Sequence, residues 1–195
     1  MQVTVTNEDE VAAIVKAAVD SFGKIDGAFN NAGLGITHNT VHEMPTEVWD
    51  RVLDVNLKGV FLCMKHEIGA MRLTGGGAIV NTSSANGLMG AAYGSEYAAS
   101  KHGVIGLTRS AACEASMTGV RANAVLPGLI HTSMTEDLIT NPEYAAIYQK
   151  ALARHPIGRL GKPEEIGYAV KWLLGDESAF VNGAAIAVDG GMTAC

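Results

Sequence analysis

Residues 78–128 read AIVNTSSANGLMGAAYGSEYAASKHGVIGLTRSAACEASMTGVRANAVLPG, and the punctuation of this stretch decides the fold. Ala78–Thr82 is a short, mostly apolar run that ends in Ser83-Ser84, as a buried strand bounded by turn formers does. Helical spacing then covers about Glu96–Ser116. After Gly119 the run Val120–Leu126 forms another strand, closed by Pro127-Gly128. A strand, a helix of that length and a second strand make a crossover unit, which leaves the two strands parallel.

The same alternation continues on both sides. Toward the N-terminus, Val3–Val5 reads as a strand, and Asn7 with Glu10 makes a capping-box-like helix start. Val11, Ile14, Val15, Ala18 and Phe22 follow at helical spacing, with Gly23 as the stop. Ile25–Phe29 reads as a strand running into Asn30-Asn31-Ala32-Gly33, and a long helix opens at Pro45-Thr46. Toward the C-terminus, Thr132–Arg154 carries mixed helical signals. Pro163 stands in the first turn of a helix bearing Ile166, Ala169, Val170, Leu173 and Leu174, and Ala185–Val188 is a last strand before Asp189-Gly190-Gly191. The pattern predicts one α/β domain over residues 1–195, a doubly wound parallel sheet covered on both faces. In such sheets ligands bind beyond the carboxyl ends of the strands. Here those ends carry Asn30–Gly33, Ser83-Ser84 and Pro127-Gly128.

Composition narrows the function classes. With 48% hydrophobic residues the 195-residue chain can bury enough surface to fold, so disorder is excluded. Only 17% of residues are charged, which favours a homo-oligomer that hides some surface. Twenty acidic against fourteen basic residues give a net charge of −6 with no basic cluster, so nucleic acid and anionic membrane are poor partners. Cys63, Cys113 and Cys195 form no CxxC and are odd in number, which fits a reducing cytoplasm. The start, MQVTVTNEDE, lacks the basic and apolar regions of a signal peptide, and no apolar run reaches the roughly 18 residues of a spanning helix. Six histidines give no H-E-x-x-H, and His38 with His42 falls in a polar loop, so no metal is expected.

Three features carry possible chemistry. Asn56 falls within the apolar stripe Trp49, Val52, Leu53, Leu57, Val60, Phe61 and Met64, where a buried amide must find partners; it can do so by tying backbone together. Tyr97 and Lys101 stand at i and i+4 and share a helix face. An ammonium about 4 Å from a phenol favours the phenolate by about 4 kcal/mol at an effective dielectric of 20, enough to make the tyrosine a working acid–base. Ser84 lies just past a strand end, where its hydroxyl can reach the same cleft or merely turn the chain. No G-x-S-x-G occurs, which disfavours a serine hydrolase.

Taken together, Asn30-Asn31-Ala32-Gly33, Asn56, Ser84, Tyr97-Ala-Ala-Ser-Lys101, Pro127-Gly128-Leu-Ile-His-Thr132 and the closing Asp189-Gly190-Gly191 resemble the short-chain dehydrogenase/reductase family over nearly the whole chain. The resemblance implies a Rossmann-type fold and hydride transfer between NAD or NADP and a secondary alcohol or ketone, either a cyclic alcohol or diol or a 3-oxoacyl substrate. It assigns proton exchange to Tyr97, and a lowered Tyr97 pKa and a ribose contact to Lys101. It gives Ser84 a hydrogen bond to the substrate oxygen, and Asn56 an anchored water leading to Lys101. Asn30, Ala32 and Gly33 would pack against the adenosine side, while Ile130 and Thr132, after Pro127 and Gly128, would meet the nicotinamide carboxamide. His131 would face either substrate or solvent. Met89–Gly94 and Thr132–Arg154 would shape a fairly apolar substrate pocket. Asp54–Arg72 and Glu96–Ser116, with Ala111, Ala112 and Ala115 packing closely, would pair subunits into a dimer or tetramer.

One family element has no counterpart. A strand and the turn T-G-x-x-x-G-x-G, which receives the pyrophosphate at a helix N-terminus, do not occur; Gly33-Leu-Gly35 lacks a third glycine, and Gly75-Gly76-Gly77 precedes a strand. Relative to the family roughly 50–60 residues are absent, a little under two ~30-residue crossover units. Thr4 stands where the family often has an Asp that meets adenine. In the family's strand order 3-2-1-4-5-6-7 the absent strands are 1 and 2, so Val3–Val5 would lack a neighbour and Ile25–Phe29 would become an edge. The expectation is thus an N-terminally truncated, incomplete sheet, from an incomplete gene model of an active enzyme, an impaired truncated product, or a binding or regulatory subunit.

Overall fold

The computed structural model describes residues 3–195 and centres on a sheet of β1 (Gly27–Asn30), β2 (Gly77–Thr82), β3 (Val120–Pro127) and β4 (Ala185–Val188). The strands lie in the order β1-β2-β3-β4 with each neighbouring pair parallel. Ile79 stands opposite Ala122, and Ala124 opposite Ala185. β2 and β3 are buried almost throughout, because helices cover both faces.

Alternation along β2 divides the core. Ile79 joins Val60, Met64 and Met71 of α3 (Gly59–Met71) and Val104 of α4 (Ser95–Ala115). Val80 meets Val125 and, on the opposite side, Ile166, Val170 and Leu173 of α7 (Pro163–Leu174). A fully buried Leu such as Leu173 contributes about 1.5–3 kcal/mol. Ala111, Ala112 and Ala115 belong to the α3–α4 layer. Their small size draws α4 onto its own sheet, so they are not the subunit-pairing surface that the sequence suggested.

Other expectations change too. Val3–Val5 forms no strand. Instead the Thr4 N–H donates to Glu10 at 2.8 Å, Asn7 caps α1 (Glu8–Phe22) by accepting from the Asp9 and Glu10 N–H groups, and Val5 packs against Gly59. With its donor engaged by the helix start, this stretch turns rather than extends. The helix expected from Thr46 is interrupted: α2 (Thr46–Leu53) passes through a π-helical turn at Asp54–Lys58 before α3. Over 132–154 the chain forms α5 (Glu136–Thr140) and α6 (Ala145–Ala153), neither with a buried residue. β1 begins two residues later than expected, at Gly27, and among the described residues pairs with β2 alone, leaving Phe29 41% exposed.

Tight turns set the spacing between strands. Gly76 has φ 107°, and a Cβ there would collide with the Gly119 carbonyl. Gly76→Ala is therefore expected to cost about 2 kcal/mol or more in urea unfolding. Gly69→Ala, on α3 with open space around it, should be neutral or stabilise by up to about 1 kcal/mol.

Candidate active site

The exits of β1, β2 and β3 lie at one edge of the sheet, and α4 brings its first two turns against them. At the exit of β2, the Ser83 hydroxyl donates to the Lys101 carbonyl at 2.8 Å and pins the strand to the helix. Ser84 is buried and accepts from the Asn86 N–H at 3.1 Å, so it does turn the chain. Its hydroxyl also lies close enough to the Tyr97 phenol to stabilise a phenolate. Lys101, 4% exposed, donates from Nζ to the Thr82 carbonyl at 2.9 Å and sits 5.6 Å from the Tyr97 ring centroid. Ser84, Tyr97 and Lys101 thus share one corner.

Burial dominates the electrostatics of that corner. It pushes the Tyr97 phenol above its ordinary range, with Ser84 pulling the other way. It also pushes the Lys101 ammonium down to about 8. The lowered Tyr97 pKa expected from Lys101 is not seen in the free protein. Two desolvated groups each resist charge, and the Lys101 Nζ–H is aimed at Thr82.

Asn56 sits in the π-helical turn and is fully buried. Such a turn admits one extra residue and rotates its side chain out of the helical register. The amide accepts from the Leu34 N–H at 2.7 Å and donates to the Leu34 carbonyl at 3.0 Å and to Ser100 Oγ at 3.2 Å. It ties backbone together and holds the loop of Ala32 and Gly33. A Cβ on Gly33 would lie 3.3 Å from Asn56 Oδ1 and 3.5 Å from Lys101 Nζ. The bare glycine keeps space open beside the ammonium.

Asn30 does not face the opening through its side chain, contrary to expectation. Its Nδ2 donates to Asn81 Oδ1 at 2.9 Å and to Glu67 Oε2 at 3.0 Å, inside the α3–sheet layer. Asn81 in turn donates to Thr108 Oγ1 at 2.9 Å and to the Met64 sulfur. Burial raises the Glu67 carboxyl to about 7 against the opposing bond from Asn30, and burial with Glu67 nearby pushes the Cys63 thiol up to about 11. Sequence reading passed over Glu67, although it stands in the apolar series Val60, Met64, Met71 where a charge is out of place.

The loop after β3 is held from several sides. The Gly128 N–H donates to the Val188 carbonyl, the Leu129 N–H to His155 Nε2 at 2.9 Å, and the Gly161 N–H to the Leu129 carbonyl. This fixes Pro127, Gly128, Ile130 and Thr132. Gly128 is required for packing, since a Cβ would lie 2.7 Å from His155 Nε2. Burial raises the Asp189 pKa, but bonds from Thr193 and Gly191 outweigh it and leave the carboxylate below its ordinary range. His131 is on the solvent side, against Glu136 at 3.2 Å. Glu96, fully buried beside Tyr97, accepts from the Thr37 N–H and hydroxyl and fixes that loop to the start of α4. Glu96 and His155 were also missed; the adjacency of Glu96 to Tyr97 was the available signal. Among the described residues no group of three or more His, Cys, Asp or Glu could hold a metal, and no helix is long and apolar enough to cross a membrane. The corner can hydrogen-bond a hydroxyl or carbonyl oxygen and exchange a proton with it.

Comparison with known proteins gives consistent findings. The family described as Enoyl-(Acyl carrier protein) reductase matches residues 1–193. The chain is 44% identical over 190 residues to cis-4-hydroxycyclohexanecarboxylate dehydrogenase of Sinomonas cyclohexanicum, covering 97% of this chain and 74% of the relative. It is 46% identical over 185 residues to cyclohexanol dehydrogenase of Acinetobacter sp. (strain SE19), covering 95% and 70% respectively. The solved structure of ElxO with NADP bound superposes with a TM-score of 0.94 at 33% identity, covering 100% of this chain and 78% of that one.

Glu67 gives the site a measurable pH signature. Its folded value of about 7 lies above the ordinary 4.5, so the folded state holds the proton more tightly. The stability this contributes is complete below about pH 4.5 and is lost as pH rises through 7. Lys101 acts in the opposite sense and only above about 8, outside that window. Urea titrations from acid to neutral pH should show a loss of roughly 3 kcal/mol that Glu67→Gln abolishes.

Proposed function

The chain belongs to the short-chain dehydrogenase/reductase family of oxidoreductases acting on CH–OH groups, and on that premise we propose that it interconverts a cyclic secondary alcohol and its ketone with NAD or NADP. The meeting of Ser84, Tyr97 and Lys101 in one buried corner at the carboxyl end of a parallel sheet carries this reading. The relatives named for cyclohexanol and cis-4-hydroxycyclohexanecarboxylate support the substrate class. The NADP-bound neighbour supports the cofactor.

The nicotinamide, when bound, accepts a hydride from the alcohol carbon or returns one to the carbonyl. The side chains handle the oxygen and its proton. In oxidation the Tyr97 oxygen takes the hydroxyl proton as the carbon gives up its hydride; in reduction Tyr97 returns that proton to the carbonyl oxygen. Ser84 donates a hydrogen bond to the same oxygen and stabilises charge as it develops. Lys101 carries its charge below about pH 8. Beside the Tyr97 ring, that charge favours the ionised phenol over the neutral one as a proton is exchanged.

The open space at Gly33, 3.5 Å from Lys101 Nζ when measured from a hypothetical Cβ, fits a ribose hydroxyl approaching the ammonium. Ala32 and Gly33 would pack toward the adenosine side of the cofactor, as the resemblance implies, with Pro127, Gly128, Ile130 and Thr132 toward the nicotinamide. Within residues 1–195 no T-G-x-x-x-G-x-G turn occurs, so none of these residues is assigned to the pyrophosphate. The low charge and the half-exposed Phe61 on α3 support a homo-oligomer, dimer or tetramer, and the three free cysteines support a cytoplasmic setting. No observation favours the binding-subunit alternative.

Tyr97→Phe tests the reading. With a panel of cyclic alcohols and both oxidised dinucleotides, turnover should fall by about 10²–10⁴-fold while dinucleotide affinity, read by fluorescence titration, stays within about twofold. Near-normal turnover in that variant would remove Tyr97 from the chemistry. A preference for 3-oxoacyl thioesters over cyclic substrates would overturn the substrate class.

A further inference from the structure

We propose that His155 is a positioning residue of this site: its imidazole bolts the loop after β3, which carries Ile130 and Thr132, to the C-terminal end of the α5–α6 segment. The proposal rests on the reading above in so far as that reading places this loop at the nicotinamide.

His155 follows α6 and is 5% exposed. Its Nδ1 lies 2.9 Å from the Ala151 carbonyl oxygen, and its Nε2 lies 2.9 Å from the Leu129 nitrogen. A carbonyl only accepts and a backbone N–H only donates. The ring must therefore carry hydrogen on Nδ1 and a lone pair on Nε2, which is one tautomer of the uncharged imidazole. The second end of the segment is tied to the same loop. The Thr135 hydroxyl donates to the Ile130 carbonyl at 2.7 Å and accepts from the Thr132 N–H at 3.0 Å. Because α5 and α6 bury no residue fully, these polar anchors weigh heavily in where the segment sits. The imidazole also occupies the space that a side chain at position 128 would need.

Loss of the acceptor at Nε2 would leave the Leu129 N–H without its partner and break the bolt. Charged groups on the surrounding elements are otherwise engaged or turned away. Arg154 reaches the Met89 sulfur, His131 pairs with Glu136 of α5, and Arg159 pairs with Glu165 of α7. The Asp189 oxygens accept from Gly191 and Thr193. Lys150 of α6 is exposed.

Two variants separate the possibilities. His155→Gln keeps an acceptor for Leu129; His155→Phe keeps the bulk and removes the acceptor. Leu129 amide hydrogen exchange, followed by NMR without any dinucleotide, reads the bolt directly. The KM for dinucleotide reads its consequence. For His155→Phe we expect faster Leu129 exchange and a KM raised about tenfold with kcat within about threefold. His155→Gln, which restores the acceptor, should keep Leu129 exchange and KM within about threefold of the parent. Unchanged Leu129 exchange in a folded His155→Phe overturns the proposal, as does exchange in His155→Gln as fast as in His155→Phe. Exchange that responds while KM does not overturns the positioning role. If His155→Phe does not fold, Leu129 exchange in the parent decides: protection supports the bolt, and the rate of an unprotected amide overturns it. The exchange measurement needs no turnover, so failure of the bolt is distinct from failure of the active-site reading, which Tyr97→Phe decides.

Discussion

The bond from Lys101 Nζ to the carbonyl of Thr82, the last residue of β2, is the constraint around which the corner is assembled. A buried ammonium is costly unless its hydrogens are used, so its neighbours must supply acceptors and leave room. The adjacent backbone is bound as tightly: Ser83 holds the Lys101 carbonyl, and Ser100 is bonded to Asn56 while its own hydroxyl donates to the Tyr97 carbonyl at 2.7 Å. Through Asn56 the same set reaches Leu34 and places Gly33 beside the ammonium. One turn of α4 thereby fixes the exits of β1 and β2 and the tyrosine between them.

A second polar system lies beneath. Asn30, Asn81, Glu67 and Thr108 link β1, β2, α3 and α4 within a layer otherwise made of aliphatic side chains. Such a system adds little net stability, since each group exchanges water for a protein partner. It does make any other packing of these elements expensive, because a displaced amide or carboxyl would be left buried and unpaired. The precision of the corner above is consistent with a foundation that tolerates one arrangement.

Much of this was legible in the sequence, and the exceptions have physical causes. β2, β3, β4, α4 and α7 could be read because apolar runs and helical spacing are local properties of those segments. The spacing of Tyr97 and Lys101 needs only a helix to bring them together. Val3–Val5 was misread because strand formation depends on a pairing partner that apolar content does not reveal. The π-helical turn at Asn56 escaped because one inserted residue hardly alters an apolar stripe. The inward direction of the Asn30 side chain was unreadable, as was the tie between His155 and Leu129. Each is decided by a partner distant in sequence, Glu67 and Asn81 for the first and a loop 26 residues upstream for the second.

The absence of buried residues in α5 and α6 has an evolutionary consequence. Replacements there remove no aliphatic contact from either core layer, so their toll on folding is light. Selection can rewrite the outer surface of this stretch while Thr135 and His155 keep its ends in place. Change along this surface is thereby uncoupled from folding, and the stretch can diverge without passing through poorly folded ancestors.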